Sequence, residues 1–235
     1  MRTTKLQTAL SKVILALTII GFTACNSKGS EDKSAADSLI KMEKVALKSP
    51  ADDFKATMRQ LWEEHIMWTR NVIICLVDDA PGGSQAVARL LKNQDDLGNA
   101  IKTYYGETAG KKLTALLYPH IRISAEVIKA AKAGNNAALA DANKRWYANA
   151  DEISTFLSKA NPNWQLEELK IMMNGHLKLT TEEAVARINK NYDADIRAFD
   201  AAHIAILKMA DMLSEGIVKQ FPEKFKGNYA AIIQK

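Results

Sequence analysis

Four histidines occur in the 235-residue chain, and three of them share one context. His65-Ile66-Met67-Trp68-Thr69, His120-Ile121-Arg122-Ile123-Ser124 and His176-Leu177-Lys178-Leu179-Thr180 all read His-[Ile/Leu]-x-x-[Ser/Thr], at separations of 55 and 56 residues. On a helix, residues four apart share a face, so each imidazole is expected beside its own hydroxyl. Imidazole is a good ligand for zinc, copper, iron and nickel. Three imidazoles from three helices, with an acid or water in the fourth position, would make an open tetrahedral site. His203 is followed by Ile204 but lacks the hydroxyl. It stands instead in Asp200-x-x-His203, which puts a carboxylate and an imidazole on one face, with Asp211 two turns beyond. The candidate metal set is therefore His65, His120 and His176, completed by His203, Asp200 or Asp211. The cofactor it would admit is a divalent transition metal: zinc, iron or copper. A ferritin-like di-metal centre fits poorly because no Glu-x-x-His is present, and the five-His spacing of hemerythrin is missing.

The same histidines also admit a structural reading. Repeated His–hydroxyl pairs could hydrogen-bond between helices and fix their register, because a buried imidazole must find partners. Other groups have bland readings too. The acid pairs Asp95-Asp96 and Asp151-Glu152 could do acid–base work, but such pairs beside Asn93 and Asn149 are more often solvated faces or local caps. Trp62, Trp68, Trp146 and Trp164 could line a pocket and at helical spacing read as core. Met172-Met173 and Met209 with Met212 hint at copper(I), yet Met pairs usually fill gaps in a core. No Ser-His-Asp signature, P-loop or dinucleotide fingerprint occurs.

The elements that must carry these residues are helices. Apolar residues recur at three- and four-residue spacing through Phe54 to Val77, Glu107 to Ala133 and Ala194 to Phe221, and no useful stretch alternates with period two. Pro81-Gly82-Gly83, Gly106 and Gly134 punctuate the pattern, and Asn161-Pro162 reads as an N-cap followed by proline at the first helical position. Six helices follow, near 52–79, 84–104, 107–133, 136–160, 163–189 and 191–221. Short connections make neighbours antiparallel, so the fold class is an all-α antiparallel bundle. A shift of 56 residues lays Asn93-Gln94-Asp95-Asp96-Leu97 over Asn149-Ala150-Asp151-Glu152-Ile153, and His120 to Glu126 over His176 to Glu182. This reads as an internal helical-hairpin repeat.

The ends of the chain address it to the cell envelope. Arg2, Lys5 and Lys12 precede the apolar run Val13 to Ala24, which fits a signal-peptide core and is too short to span a bilayer. Phe22-Thr23-Ala24-Cys25 resembles a lipoprotein cleavage box, with Phe where Leu is usual. Residues 1–24 are thus a lipoprotein signal peptide. Residues 25–50 are a lipidated Cys25 and a flexible tether, with one helical stretch near Leu39 to Leu47. Residues 51–222 form the bundle domain, and 223–235 a tail. Acyl chains on Cys25, each contributing about 0.8 kcal/mol per buried methylene, would make a stable membrane anchor. Asn26, rather than Asp, argues against inner-membrane retention, leaving the outer membrane, its periplasmic face or the cell surface. The formal charge of +5 falls to +2 once the three basic residues of the leader are removed. No basic stripe interleaved with aromatics suits nucleic acid. The remaining thiol, Cys75, sits in an apolar stretch and reads as buried and inert.

Trp62-x-x-His65-x-x-Trp68-Thr69-Arg70, Asp96-Leu97-Gly98-Asn99-Ala100, Tyr105-Gly106, Arg145-Trp146-Tyr147-Ala148-Asn149-Ala150-Asp151, Asn161-Pro162-x-Trp164, His176-Leu177-x-Leu179-Thr180 and Met209-Ala210-Asp211-Met212 stand together across residues 54–222. As a set they resemble an uncharacterised all-helical bacterial family whose members often carry the labels glycosyltransferase or acetylglutamate kinase. No nucleotide-binding motif or α/β pattern here supports either label. The resemblance implies the helical fold and places His65, His120 and His176 in the recurring pattern. Three functions are carried forward: a lipid-anchored binding module with a metal or small-ligand site, a metal-dependent hydrolase, and a structural or partner-binding module.

Overall fold

Ser49 starts the domain with a reciprocal cap. Its hydroxyl accepts from the Asp52 amide at 3.1 Å, and the Asp52 carboxylate accepts from the Ser49 amide at 3.2 Å. Pro50 follows at the first helical position, where a missing N–H costs nothing. The computed structural model describes residues 49–226. The expected signal peptide, Cys25 and the tether up to residue 48 lie outside the described residues, as does the expected tail from 227 onward.

Five helices make up the described chain: α1 (Pro50–Val77), α2 (Gly83–Lys132), α3 (Asn136–Ala160), α4 (Leu166–Ile188) and α5 (Tyr192–Gln220). Among the described residues there is no strand, and the all-α class holds. No described helix is long and apolar enough to cross a membrane. The segments expected near 84–104 and 107–133 are one element, α2, broken at Gly106, whose backbone has φ 84° and ψ 168°. That left-handed φ is open to glycine and strained for other residues. The two arms of α2 double back on one another there. Thr114 Oγ1 donates to the Gln94 carbonyl at 3.3 Å. Gly98 meets Gly110 so closely that a Cβ on Gly98 would stand 2.0 Å from Thr114 Oγ1. Here the absence of side chains sets the approach of the arms.

The helices close into a ring, with α1 packed on α2 and α5, α3 on α2 and α4, and α4 on α5. Their apolar stripes meet in one main core that includes Ile66, Leu97, Trp146, Ile153, Leu177 and Ile206, all essentially without exposure. Each fully buried side chain of this kind contributes roughly 1.5–3 kcal/mol. Beyond α5 a short 3₁₀ turn, Pro222–Phe225, returns Phe225 to Tyr104 and Phe54, with ring centroids 5.4 and 5.3 Å apart. Cys75 is half-buried and packs at the α1–α2 contact beside Val72 and Leu90.

Candidate ligand site in the bundle interior

Helix α1 supplies His65, the second arm of α2 supplies His120 and α4 supplies His176. All three are buried, at 3%, 3% and 4% exposure. The His176 ring is 5.8 Å from that of His65 and 6.3 Å from that of His120 between centroids. Together they line an apolar cavity of about 40 Å³ whose wall also includes Met58, Met173, Met209, Trp62 and Trp164. One water needs roughly 10–15 Å³ by the same measure, so the space takes an ion or a very small molecule, far below the roughly 300 Å³ of a drug-sized pocket.

Two of the imidazoles are held by the same device. Asn149 on α3 donates its amide to the Leu116 carbonyl at 3.0 Å, four residues before His120, and turns Oδ1 to His120 Nδ1 at 2.9 Å. Asn93 on the first arm of α2 donates to the Leu61 carbonyl at 2.9 Å, four residues before His65, and turns Oδ1 to His65 Nδ1 at 3.3 Å. An amide oxygen only accepts, so Nδ1 of His120 carries the proton. His65 Nδ1 also lies 3.2 Å from Gln94 Nε2, whose two protons go to the Leu90 carbonyl (2.7 Å) and Asn93 Oδ1 (3.1 Å), which leaves Asn93 Oδ1 to accept an Nδ1 proton from His65 as well. Both rings therefore keep their lone pair on Nε2.

His176 has no such clasp. Its Nδ1 is buried and without a hydrogen-bond partner. Stepping 28 or 29 residues along the chain, as from His65 to Asn93 and from His120 to Asn149, reaches only Ile204 and Ala205. Burial is the largest cause of low basicity at all three rings. It lowers His65 to about 4, with further repulsion from His120, and lowers His120 to about 4. It takes His176 well below the usual histidine range, aided by His65 and His120. The rings are neutral at pH 7, which is the state that ligates.

The hydroxyls of the motif turn away from the rings. Thr69 and Thr180 donate to the carbonyls of His65 and His176 at 2.8 and 2.9 Å, and Ser124 donates to the Ile121 carbonyl at 2.8 Å. Each satisfies itself on its own helix, a common local bond for Ser and Thr. The completing residues also lie elsewhere. His203 Nε2 is 3.1 Å from Glu63 Oε1 on the surface. Asp211 accepts from Arg59 at 2.6 Å, and Asp200 is exposed. None of the three lines the cavity.

One ion held by three imidazoles at 2.0–2.1 Å with tetrahedral angles would place ring centroids about 5.2 Å apart. The observed spacings are wider by roughly half to one ångström. Among the described residues no group of three or more His, Cys, Asp or Glu is spaced to hold a metal as it stands. The donors suit a metal, and their spacing asks for a small inward shift or for longer-reaching donors beside them. No known family, curated protein or solved structure matches the chain.

A second buried polar group joins α1, α4 and α5. Arg70 on α1 donates to Glu183 on α4 at 2.7 Å and to Asp195 on α5 at 2.9 Å. Arg187 donates to Asp195 at 2.9 Å and also to Asp78. Glu183 has no exposure, its Oε2 has no partner, and burial outweighs Arg70 to push it up to about 7. The hydrogen-bonded partners stand 8 to 125 positions apart, so no local pattern announces them. Asn93 and Asn149 did leave a signal, since they head the two halves of the 56-residue match.

Proposed function

We propose that the protein is a lipid-anchored binding module of the cell envelope whose bundle interior holds a metal ion or a very small ligand on His65, His120 and His176. One observation carries this: three neutral imidazoles border one apolar cavity, and two have Nδ1 fixed by an asparagine so that Nε2 keeps its lone pair. Histidines that ligate metals almost always donate their other ring N–H in this way. The unclasped His176 adds to the case, because a purely structural imidazole is expected to have partners. The twin clasps support the internal hairpin repeat, because Asn93 and Asn149 hold corresponding places in its two halves. The cavity wall has no carboxylate, which weighs against a hydrolytic centre needing an acid or base beside its metal. Cys25 would carry the acyl chains that fix the domain to a membrane surface.

Metal analysis by mass spectrometry on the full chain, extracted in detergent, tests the site. The expected result is near-stoichiometric binding of a transition metal, supplied to the apo protein, that the folded His176→Leu variant loses. Metal uptake unchanged by His176→Leu, or none by the folded wild type, would refute it. Mass spectrometry of the N-terminal peptide tests the anchor: diacylglycerol on Cys25 is expected, and an unmodified Cys25 would refute it.

A further inference from the structure

The cavity wall distinguishes among metals. Three methionines reach it: Met58 from α1, Met173 from α4 and Met209 from α5. Of the sequence pairs Met172-Met173 and Met209 with Met212, one member of each faces the cavity. The wall has no carboxylate, no thiolate and no other anionic group.

Resting on the reading above, we propose that the cavity is a copper(I) site, in which thioethers of Met58, Met173 and Met209 join the imidazoles of His65, His120 and His176. Imidazole and thioether are the donors that this soft ion accepts, and thioethers select it against harder divalent ions. Charge points the same way. The cost of moving an ion from water into an apolar medium grows with the square of its charge, so a wall of neutral donors favours a monovalent cation over a divalent one. The spacing agrees as well. Rings 5.8 and 6.3 Å apart are wider than the about 5.2 Å of a compact three-imidazole site, so donors of longer reach complete the shell with less movement. Methionine, unbranched and with three rotatable bonds, can bring a sulfur to the ion where a ring cannot move. Not all six donors need bind at once; the cavity offers a set from which the ion takes its shell.

The test uses the full chain in detergent, without oxygen. Copper(I) is titrated against a coloured copper(I) chelator, zinc(II) is titrated in parallel, and X-ray absorption is recorded on the copper-loaded protein. One copper(I) per chain is expected, with both nitrogen and sulfur in its shell. Met173→Leu, a near-isosteric change, should weaken copper(I) binding at least about tenfold without unfolding the domain. His176→Leu should remove binding, and Cys75→Ser, outside the cavity, should leave it unchanged. Zinc bound tightly through the same histidines, with copper(I) held weakly and no sulfur in its shell, would overturn the copper(I) assignment and leave the ligand site standing. A folded protein that takes up neither metal would overturn both.

Discussion

Replacing His176 by Leu separates a ligand from a strut. A structural histidine is held by hydrogen bonds, and its loss leaves partners unpaired. His120 is of that kind: His120→Leu would strand Asn149 Oδ1 in the interior. An orphaned buried acceptor costs about 1–3 kcal/mol. His176 has no Nδ1 partner to strand. The wild-type domain already bears the cost of that buried, unpaired nitrogen, again about 1–3 kcal/mol. Leucine removes the polar atom and keeps an apolar group in an apolar cavity. His176→Leu should therefore leave the metal-free protein as stable as wild type or stabilise it by up to about 3 kcal/mol. His120→Leu should destabilise it by about 1–3 kcal/mol. Denaturant unfolding of the two variants and wild type, all metal-free in the same detergent, reads the difference. At about 2–4 °C per kcal/mol for a domain of this size, thermal midpoints should move in opposite directions or differ by several degrees. Equal destabilisation by both variants would refute the reasoning, because His176 would then have partners like those of His120. A stabilising His176→Leu would mean that this imidazole lowers stability for another purpose, as ligand sites commonly do.

The lowered basicity of the histidines predicts acid lability of the metal-free domain. Between about pH 6.5 and 4 the unfolded chain takes up protons that buried His65 and His120 refuse, so stability is complete above 6.5 and falls with pH. Each ring contributes roughly 3 kcal/mol to this loss. Glu183, raised to about 7, acts oppositely, because the folded state holds its proton more tightly and loses stability as pH rises from 4.5 to 7. Its offset, also roughly 3 kcal/mol, cannot cancel two rings and His176, which burial depresses as well. Equilibrium unfolding from pH 4 to 8 should show a net rise in stability through pH 6, and a flat profile would contradict it. Gly216→Ala should cost about 1–3 kcal/mol by overpacking. Its Cβ would stand 2.0 Å from Trp164 Nε1, so the indole that borders the cavity must move. Tryptophan fluorescence should report the shift, and an unchanged spectrum with unchanged stability would refute that packing.

Much of the helical architecture is legible in the chain. Gly82-Gly83 and Gly134 stand where helices begin or end, because left-handed backbone is a local property of glycine, whereas Asn161-Pro162, expected to cap and open the next helix, closes α3 instead: Asn161 is its C-cap and α4 starts only at Leu166. The three-residue spacing of Trp62, His65 and Trp68 puts a histidine beside the core stripe of α1, since helical periodicity acts over a single turn. The expected separation at Gly106 is visible too, since the non-helical backbone there lets the two arms of α2 fold back on one another. The motif itself misleads at its hydroxyl. Thr69, Ser124 and Thr180 repeat as faithfully as the histidines, yet each bonds to its own backbone, a choice that costs no interhelical geometry.

Local sequence therefore determined which segments are helical and which helices carry an imidazole on the inner face. Only the packed ring of helices decided that His65, His120 and His176 face one cavity while His203, Asp200 and Asp211 remain on the surface. It also decided that Asn93 and Asn149 clasp two rings and that nothing clasps the third. The physical reason is range. Caps and periodicity act within about four residues, one helical turn, whereas the distances between rings on α1, α2 and α4 depend on how whole helices rotate and approach. That approach is set by residues as remote as Gly98 against Gly110 and Gly216 against Trp164.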